Sequence, residues 1–537
     1  MGSSPATMEA AKGIDAFGCM PGNHIEQADA EQAYVQADLK GPPLWISLPT
    51  EAWPKAWEGM SNPVCLMKKA LYGHPDSGSF WEQHCKAQLE KVGFKLVANW
   101  NSCFKHEKLK LFLLVYVDDF KLAGPKKNLA NGWKLIKSVI TIDEPRELNR
   151  YLGCDHEKFT DEVGAQKFSG MKYCMTAQLT ASIELYDSEC AKVGYVPSKT
   201  GKKTKTPFVQ EQGSDAPAAQ PMMPDIKIQC PRCKHIIRTG KMSRAVDKPK
   251  EEEKGLCGGM ALKVLMKVMY IARLSRFDLL RPVSMLAREV NRWSPKSDKK
   301  LEKLVAYIRT TVDVCLYGYI GDPAHQCSLE LYSDADFAGL ASQHSTTGGF
   351  LVLTGKNTWF PLAAVSKKQT SVSTSTAEAE LTALFYMVRN LGLPGTELWS
   401  TLLDRKVLVD IYEDNQAVLQ IVRTGKNMTM RHFERTHRVP VAWLHELYDA
   451  NKDEFFRLHY AKSDEMVADL FTKAFTDICK FEMLKALAGI GATWRVVYDN
   501  VSYVVGNRGQ KDYDHQIALS LLPVVSLHGA QSTVHDE

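Results

Sequence analysis

Two aspartates at the end of an apolar run constrain this chain more than any other feature. Leu111-Phe-Leu-Leu-Val-Tyr-Val117 is a seven-residue apolar stretch, and its length and borders predict a buried strand. Asp118-Asp119 then stands at a tight turn, and Phe120-Lys-Leu-Ala123 reads as the returning strand. Desolvating a carboxylate is costly without a partner, so a pair of them here needs a reason. One reason is a plain turn, which Asp favours. The other is a divalent-metal site at a hairpin tip. Two-metal phosphoryl transfer needs several hard oxygen ligands that hold ions ~3.5–4 Å apart, and a third carboxylate must then come from a neighbouring strand.

A second acidic series lies further on. Leu329-Glu-Leu-Tyr-Ser-Asp-Ala-Asp336 alternates like a strand and ends in aspartates. Ser375-Thr-Ala-Glu-Ala-Glu-Leu-Thr-Ala383 opens a helix from which Glu380 can project back toward a sheet. Val407-Leu-Val-Asp-Ile-Tyr-Glu-Asp-Asn415 is another strand with an acidic end, and Val467-Ala-Asp-Leu470 begins a final helix. Each is common alone, since acidic residues are favourable near helix N-termini. The order strand–Asp, helix–Glu, strand–Asp, helix–Asp is much rarer.

At 537 residues the chain has room for about three to five domains. Its 45% hydrophobic and 24% charged residues exclude a wholly disordered, collagen-like or coiled-coil protein. The net charge of 67 − 62 = +5 names no partner, so any nucleic-acid affinity must come from local basic patches. No apolar run approaches the ~18–20 residues of a membrane span, and Met1–Ala16 lacks a secretory core. The thirteen cysteines, mostly single and odd in number, read as reduced thiols of an intracellular protein, cytoplasmic or nuclear.

The composition divides the chain into six stretches. Residues 1–22 are small and polar and are expected to be disordered. Residues 23–197 form a first domain. Residues 198–258, with a Lys/Thr-rich start, a Pro/Ala-rich middle and the charge run Lys248–Lys254, read as a linker or insertion. Residues 259–325 are helical, 326–475 form an α/β unit, and 476–537 are a tail of unknown role. Cys230-Pro-Arg-Cys233 has the spacing of half a zinc ribbon. Zinc on Cys230 and Cys233, completed by His235 or Cys257, is one reading; two free thiols in a linker are the other.

The motifs resemble a known family. Tyr116-Val-Asp-Asp119 is similar to the YVDD box of reverse transcriptases. Asp29, Ala33-Tyr34 and Trp45-Ile-Ser-Leu-Pro49 resemble the first catalytic segment of the copia-type LTR-retrotransposon version. Leu71-Tyr-Gly73 with Trp81, and Tyr151-Leu-Gly153, resemble its next segments. The second acidic series resembles ribonuclease H in copia-like wording: Tyr332–Gly339, Ser345–Phe350, Ser366–Gln369, Ser375–Ala383, Glu413–Gln416, Arg435–His437 and Val467–Lys473. Met269-Tyr-Ile-Ala272, Arg281-Pro282 and the helix to Trp293 resemble the connection between the two.

This resemblance implies a Pol polyprotein fragment with an α+β reverse-transcriptase palm, a helical thumb or connection, and an α/β ribonuclease H-like domain. It implies Asp29, Asp118 and Asp119 as polymerase carboxylates, with Asp29 and Asp118 the main ligands, and Tyr34 as the aromatic that rejects a ribose 2′-OH. It implies Asp334, Glu380, Asp414 and Asp469 as the ribonuclease H set, with Mg²⁺ or Mn²⁺ as cofactor. Lys367, Lys368 and Arg435 either contact phosphates or form a solvated basic face. The implied partners are an RNA/DNA hybrid, a primer-template and, for a competent polymerase, a dNTP.

Two departures bear on activity. Only 28 residues precede Asp29, where the family has its fingers, so the fingers are expected to be truncated. His74-Pro-Asp-Ser-Gly-Ser-Phe-Trp81 replaces the usual Leu-Lys-Gln-Ser-Pro-Arg-Ala-Trp, which puts Asp76 where a Gln helps hold template and nucleotide. A carboxylate repels a polyphosphate. The expectation is therefore an intact ribonuclease H beside an impaired polymerase. The rival is a decayed, non-catalytic element remnant with weak nucleic-acid binding.

Overall fold

The computed structural model describes residues 5–198, 204–209, 226–229, 236–239, 254–337, 344–426, 433–450 and 456–506. Cys230 and Cys233 lie outside the described residues.

The chain opens with helix α1, Met8–Cys19, whose N-cap Thr7 side chain accepts from the Ala10 N–H at 3.2 Å. This corrects the expectation of disorder across 1–22. Ala10, Ala11, Ile14, Ala16 and Phe17 are buried, and so are Lys12 and Asp15. Small side chains let the helix lie in contact with both large sheets. Its polar residues are paired: Lys121 Nζ donates to Asp15 Oδ1 at 2.8 Å, Tyr173 Oη donates to Asp15 Oδ2 at 3.1 Å, and Lys12 Nζ sits 3.7 Å above the Tyr173 ring.

The first sheet has six strands. β1 is Asn23–Asp29, β2 Lys95–Leu96, β3 Cys103–His106, β4 Leu111–Tyr116, β5 Asp119–Pro125 and β6 Arg146–Glu147, in the order β2-β3-β4-β5-β1-β6. β4 is buried on both faces: Phe112 and Leu114 enter one apolar cluster, and Leu111, Leu113 and Val115 enter another. Helix α2, Ser77–Lys91, turns Trp81, Cys85 and Leu89 inward, and α3, Lys126–Lys137, packs against β1, β4 and β5.

The second sheet has ten strands. β7 is Arg150–Tyr151, β8 Cys154–Val163, β9 Gln166–Cys174, β10 Cys315–Ile320, β11 Ser328–Asp336, β12 Thr346–Gly355, β13 Thr358–Lys368, β14 Val409–Glu413 and β15 Phe456–Tyr460. Their order is β15-β14-β11-β12-β13-β10-β9-β8-β7, with a short tenth strand, Ile490–Gly491, paired to β10. β11, β12 and β13 form an antiparallel meander, and β14 and β15 continue it in parallel from β11. The β8–β9 hairpin joins this sheet through β10. Helices α4 (Thr176–Val193), α5 (Gly258–Leu274), α6 (Leu280–Glu289) and α7 (Pro295–Thr310) lie between β9 and β10 in sequence. Helix α8, Thr376–Met387, packs on β11 and β12.

Three more expectations are corrected. Cys174 and Cys315 form a disulfide between neighbouring strands β9 and β10, so the cysteines are not all reduced thiols; a 141-residue separation hides such a pair from sequence. Val467–Phe471 is a 3-10 turn rather than the start of an α-helix. Part of the supposed tail is packed structure: Ile478–Leu487 and Trp494–Gly506 are helices, and Val497, Val501 and Val504 are buried. Trp494 packs among Phe159, Phe168 and Tyr319 in tilted and edge-on contacts. No helix of the described residues is long and apolar enough to cross a membrane.

Candidate active sites

The first acidic set sits at one end of the six-stranded sheet. β1 and β5 run antiparallel with Asp29 opposite Asp119. Two residues, Val117 and Asp118, link β4 to β5, with Tyr116 opposite Asp119. Val117 has φ of +57°, a strained conformation for a β-branched residue. It is held from both sides of the turn: Trp81 Nε1 donates to the Val117 carbonyl at 2.7 Å, and the Ala30 N–H donates to the Asp118 carbonyl at 2.7 Å. Asp118 is exposed and Asp119 half-buried. Burial, then the charges of Asp118 and Asp29, push the Asp119 carboxyl up to about 6.

Asp29 is already engaged. Arg146 donates to its Oδ2 at 2.6 Å and also to Asp143, while the Asp29 N–H donates to Asp143 Oδ1 at 2.6 Å. Neither Arg146 nor Asp143 stands out in the sequence. Tyr34, half-buried, lies against Tyr72 with ring centroids 4.5 Å apart. Asp29, Asp118 and Asp119 do not form one of the carboxylate groups that meet within 4.8 Å among the described residues.

The second set does converge. Asp334 lies near the end of the buried part of β11, Glu380 projects from the second turn of α8, Asp414 follows β14, and Asp469 sits in the 3-10 turn. Ligand oxygens of Asp334, Asp414 and Asp469 lie within 4.8 Å of one another, and so do those of Glu380, Glu413 and Asp414. Glycine makes this approach possible. Gly348 stands opposite Asp334, and a Cβ there would collide with Thr472 Cγ2 and come 2.9 Å from the Ala468 carbonyl. Without a side chain at 348, the turn that carries Asp469 can close on β11.

Asp334, Glu380, Glu413 and Asp469 are all buried. Thr472 Oγ1 donates to Asp334 Oδ2, and Lys473 Nζ donates to Asp469 Oδ1 and lies 3.6 Å from Asp334 Oδ1. Burial raises the Glu380 and Glu413 carboxyls well above the usual range, and neighbouring carboxylates add to it. The same causes raise Asp414 and push Asp469 up to about 6. Glu380 Oε2, Glu413 Oε2 and Asp469 Oδ2 are buried with no hydrogen-bond partner among the described residues. Lys480 Nζ lies 3.5 Å from that Asp469 oxygen; the unpaired oxygens of Glu380 and Glu413 in a shared pocket fit a divalent cation.

Glu413 is the residue that sequence reasoning missed. Its signal was its place beside Asp414 at the end of a strand. The other neighbours have different duties. Asp336 accepts from Arg281 at 2.8 Å, and Glu378 accepts from the Thr374 N–H at 2.6 Å at the start of α8. Lys367 and Lys368 are exposed at the end of β13, with Lys367 Nζ 4.6 Å above the Tyr386 ring. The Arg435 backbone belongs to a short helix, Phe433–His437, and its side chain lies outside the described residues.

An antiparallel sheet with an acidic hairpin tip is followed by a second sheet with a converged acid pocket, and the first of these falls in a stretch that matches a known family. The family described as "Reverse transcriptase (RNA-dependent DNA polymerase)" matches residues 2–193. The Transposon Ty1-BL Gag-Pol polyprotein of Saccharomyces cerevisiae is 25% identical over 462 residues, which is 84% of this chain and 23% of that protein. The Transposon Ty1-JR2 Gag-Pol polyprotein of the same yeast is 24% identical over 462 residues, with the same coverage of 84% and 23%. The chain thus spans about a quarter of the length of these curated relatives. A crystal structure of prototype foamy virus protease-reverse transcriptase aligns over 89% of this chain and 48% of that one, at 10% identity and a TM-score of 0.18, too low to carry an argument. The chain is thus similar to the Gag-Pol polyproteins of these LTR retrotransposons, and its residues 2–193 match the reverse transcriptase family.

Proposed function

We propose that this chain cleaves the RNA strand of RNA/DNA hybrids by two-metal phosphoryl transfer, through Asp334, Glu380, Asp414 and Asp469 in a ribonuclease H-like domain. The observation that carries the reading is the convergence of four acidic side chains, from two strands, a helix and a turn, with Asp414 shared between the two groups that meet within 4.8 Å. The sheet supports it as well: a three-stranded meander extended in parallel from its first strand brings Asp334 and Asp414 to the same end of adjacent strands.

Mg²⁺ or Mn²⁺ would be held by Asp334, Asp414 and Asp469 on one side and by Glu380 and Asp414 on the other. Bound ions of this kind activate a water and stabilise the leaving 3′ oxygen. The chain's own residues fix the ligands. Thr472 orients Asp334, Lys473 orients Asp469, and Arg281 holds Asp336 aside. Lys367 and Lys368 are free to meet the phosphates of the hybrid.

Asp29, Asp118 and Asp119 are the corresponding polymerase carboxylates for a primer-template, and Tyr34 the group that tests the sugar of an incoming dNTP. Asp29 is committed to Arg146, which favours cleavage over extension as the leading activity.

The test supplies Mg²⁺ with a labelled RNA/DNA hybrid, and separately with a primer on an RNA template. Cleavage is expected, and Asp334→Asn should lower it more than ~100-fold, since a lost metal ligand forfeits several kcal/mol of transition-state stabilisation. A folded wild-type protein that leaves the hybrid intact would sink the proposal in favour of a non-catalytic remnant. Extension that vanishes in Asp118→Asn would move the leading activity to the first set.

A further inference from the structure

The acid pocket holds one carboxylate more than the tetrad accounts for. Neighbouring residues of a strand point to opposite faces, so Glu413 and Asp414 could not both enter the pocket from the middle of β14. The strand ends at Glu413, and Asn415 turns the chain by accepting from the Ala417 and Val418 N–H groups at 3.0 and 3.3 Å. Both acids thereby come within 4.8 Å of Glu380.

The two carboxylate groups differ in what already serves them. The group of Asp334, Asp414 and Asp469 has Lys473 and Thr472 at its oxygens. In the group of Glu380, Glu413 and Asp414, Glu413 is 0% exposed, and its Oε1 accepts only a long bond, 3.3 Å, from the Asn415 N–H. Its Oε2 and that of Glu380 have no hydrogen-bond partner among the described residues. Like charges brought together out of water repel strongly; Lys473, whose ammonium is bonded to Asp469 in the other group, offsets this only in part, so this half of the pocket needs a further counter-charge. The donors are all carboxylate oxygens, which selects a hard divalent cation over a soft one.

We propose that Glu413 is a direct ligand of one of the two divalent cations, which it holds with Glu380 and with Asp414 as the shared ligand. The assignment rests on the metal-dependent reading above, and it adds a fifth carboxylate to the tetrad.

The test is Mn²⁺ uptake by the full chain, stripped of metal and followed by calorimetry and by electron paramagnetic resonance of the free ion. Melting curves are recorded with and without Mn²⁺. The wild type is expected to take two ions at this pocket. Glu413→Gln should weaken one of them at least ~10-fold, the range found when a supporting residue of a metal site is lost, and leave the other within about twofold. Asp469→Asn should weaken the other position instead. Without metal, Glu413→Gln should melt above the wild type, because a buried repulsion is gone, and it should gain less from added Mn²⁺. Glu413→Asp, which keeps the charge but shortens its reach, should weaken the same position and serves if the Gln variant does not fold. Two unchanged affinities in Glu413→Gln would overturn the assignment alone. So would a metal-free melting point below the wild type with a full gain from Mn²⁺, which marks a merely structural carboxyl. A wild type that takes up no Mn²⁺ overturns the metal-dependent reading as well.

Discussion

The two acidic sets meet the cost of gathering carboxylates in opposite ways. At the hairpin tip, Asp118 stays in water and Asp29 is paired with Arg146. In the second sheet, the acids are buried, and several of their oxygens have no hydrogen-bond partner among the described residues. The first set is therefore stable as it stands and has less to gain from a cation. The second gathers five carboxyls around Lys473 and Lys480, more than two ammonium groups balance, and a hard cation relieves the rest. Readiness for metal follows from how much buried carboxylate each set leaves unbalanced by its own cations, not from how many acids a motif contains.

If the two sites are separate units, a blow to the first should spare the second. The sharpest blow is to the buried cluster under the hairpin. Lys121 lies on β5, two residues past Asp119, and its partner Asp15 comes from α1. Removing one partner of a buried pair leaves an uncompensated charge and costs about 3–5 kcal/mol. Asp15→Ala should show that loss in denaturant melts that follow the first sheet. Hybrid cleavage by the fraction that remains folded should hold. A parallel loss of cleavage per folded molecule would show that α1 ties the two sites together.

The reverse blow is Gly348→Ala. Overpacking of this kind costs about 1–3 kcal/mol, and here it pushes the turn of Thr472 and Asp469 away from Asp334. Cleavage should fall more steeply than stability, as seen by comparing rates with melting points at equal folded fraction. Equal losses would mean that the turn relaxes without moving Asp469.

The buried cluster, which α1 shares with Tyr173 of the second sheet, also gives a pH signature distinct from that of the acid pocket. Burial lowers the Lys12 ammonium from 10.5 to about 8, so the folded state holds fewer protons than the unfolded one between those values. Stability from this group therefore rises as pH goes from about 8 to 10.5, and below 8 the full penalty remains. Lys12→Met should be the more stable protein at pH 7, by about 1–2 kcal/mol once the lost contact with the Tyr173 ring is subtracted. The gap should close by about pH 10.5. A constant gap across that range would show that Lys12 does not titrate there.

Legibility followed the same division. Acids at strand ends were readable from sequence because an apolar run that stops at a carboxylate is unusual. The Arg146 clamp was not, since it depends on strand pairing across 117 residues. Helix α1 was missed because alanines and glycines give a weak apolar signal, and its Lys12 and Asp15 look like surface residues until Lys121 and Tyr173 are beside them. The last helix was missed as well: Val497, Val501 and Val504 recur at helical spacing, but three valines among polar residues do not say what they pack against. Glu413 was hidden by Asp414, because period-two reasoning sends adjacent residues to opposite faces and overlooks where the strand ends.

The smallest expected effect is the most direct test of the comparison. If Arg146 is what quiets the first set, its loss should bring that set toward the behaviour of the second. Arg146→Gln leaves Asp29 and Asp143 without a guanidinium, and hydrogen bonds to a charged group are worth about 1.5–3 kcal/mol. Part of that is regained by water at this half-exposed position, so about 1 kcal/mol, or a fivefold gain in Mn²⁺ affinity, is expected at the hairpin. The measurement belongs in an Asp334→Asn, Asp414→Asn background, where the second pocket no longer dominates uptake. Affinity that rises only at low ionic strength would mark a diffuse charge effect, because exposed charges are screened within about 10 Å at 0.1 M salt. Affinity that does not rise at all would mean that Asp29 is held away from Asp118 and Asp119 by the β1–β5 register rather than by Arg146, and the contrast between the two sets would then be one of backbone geometry instead of counter-charge.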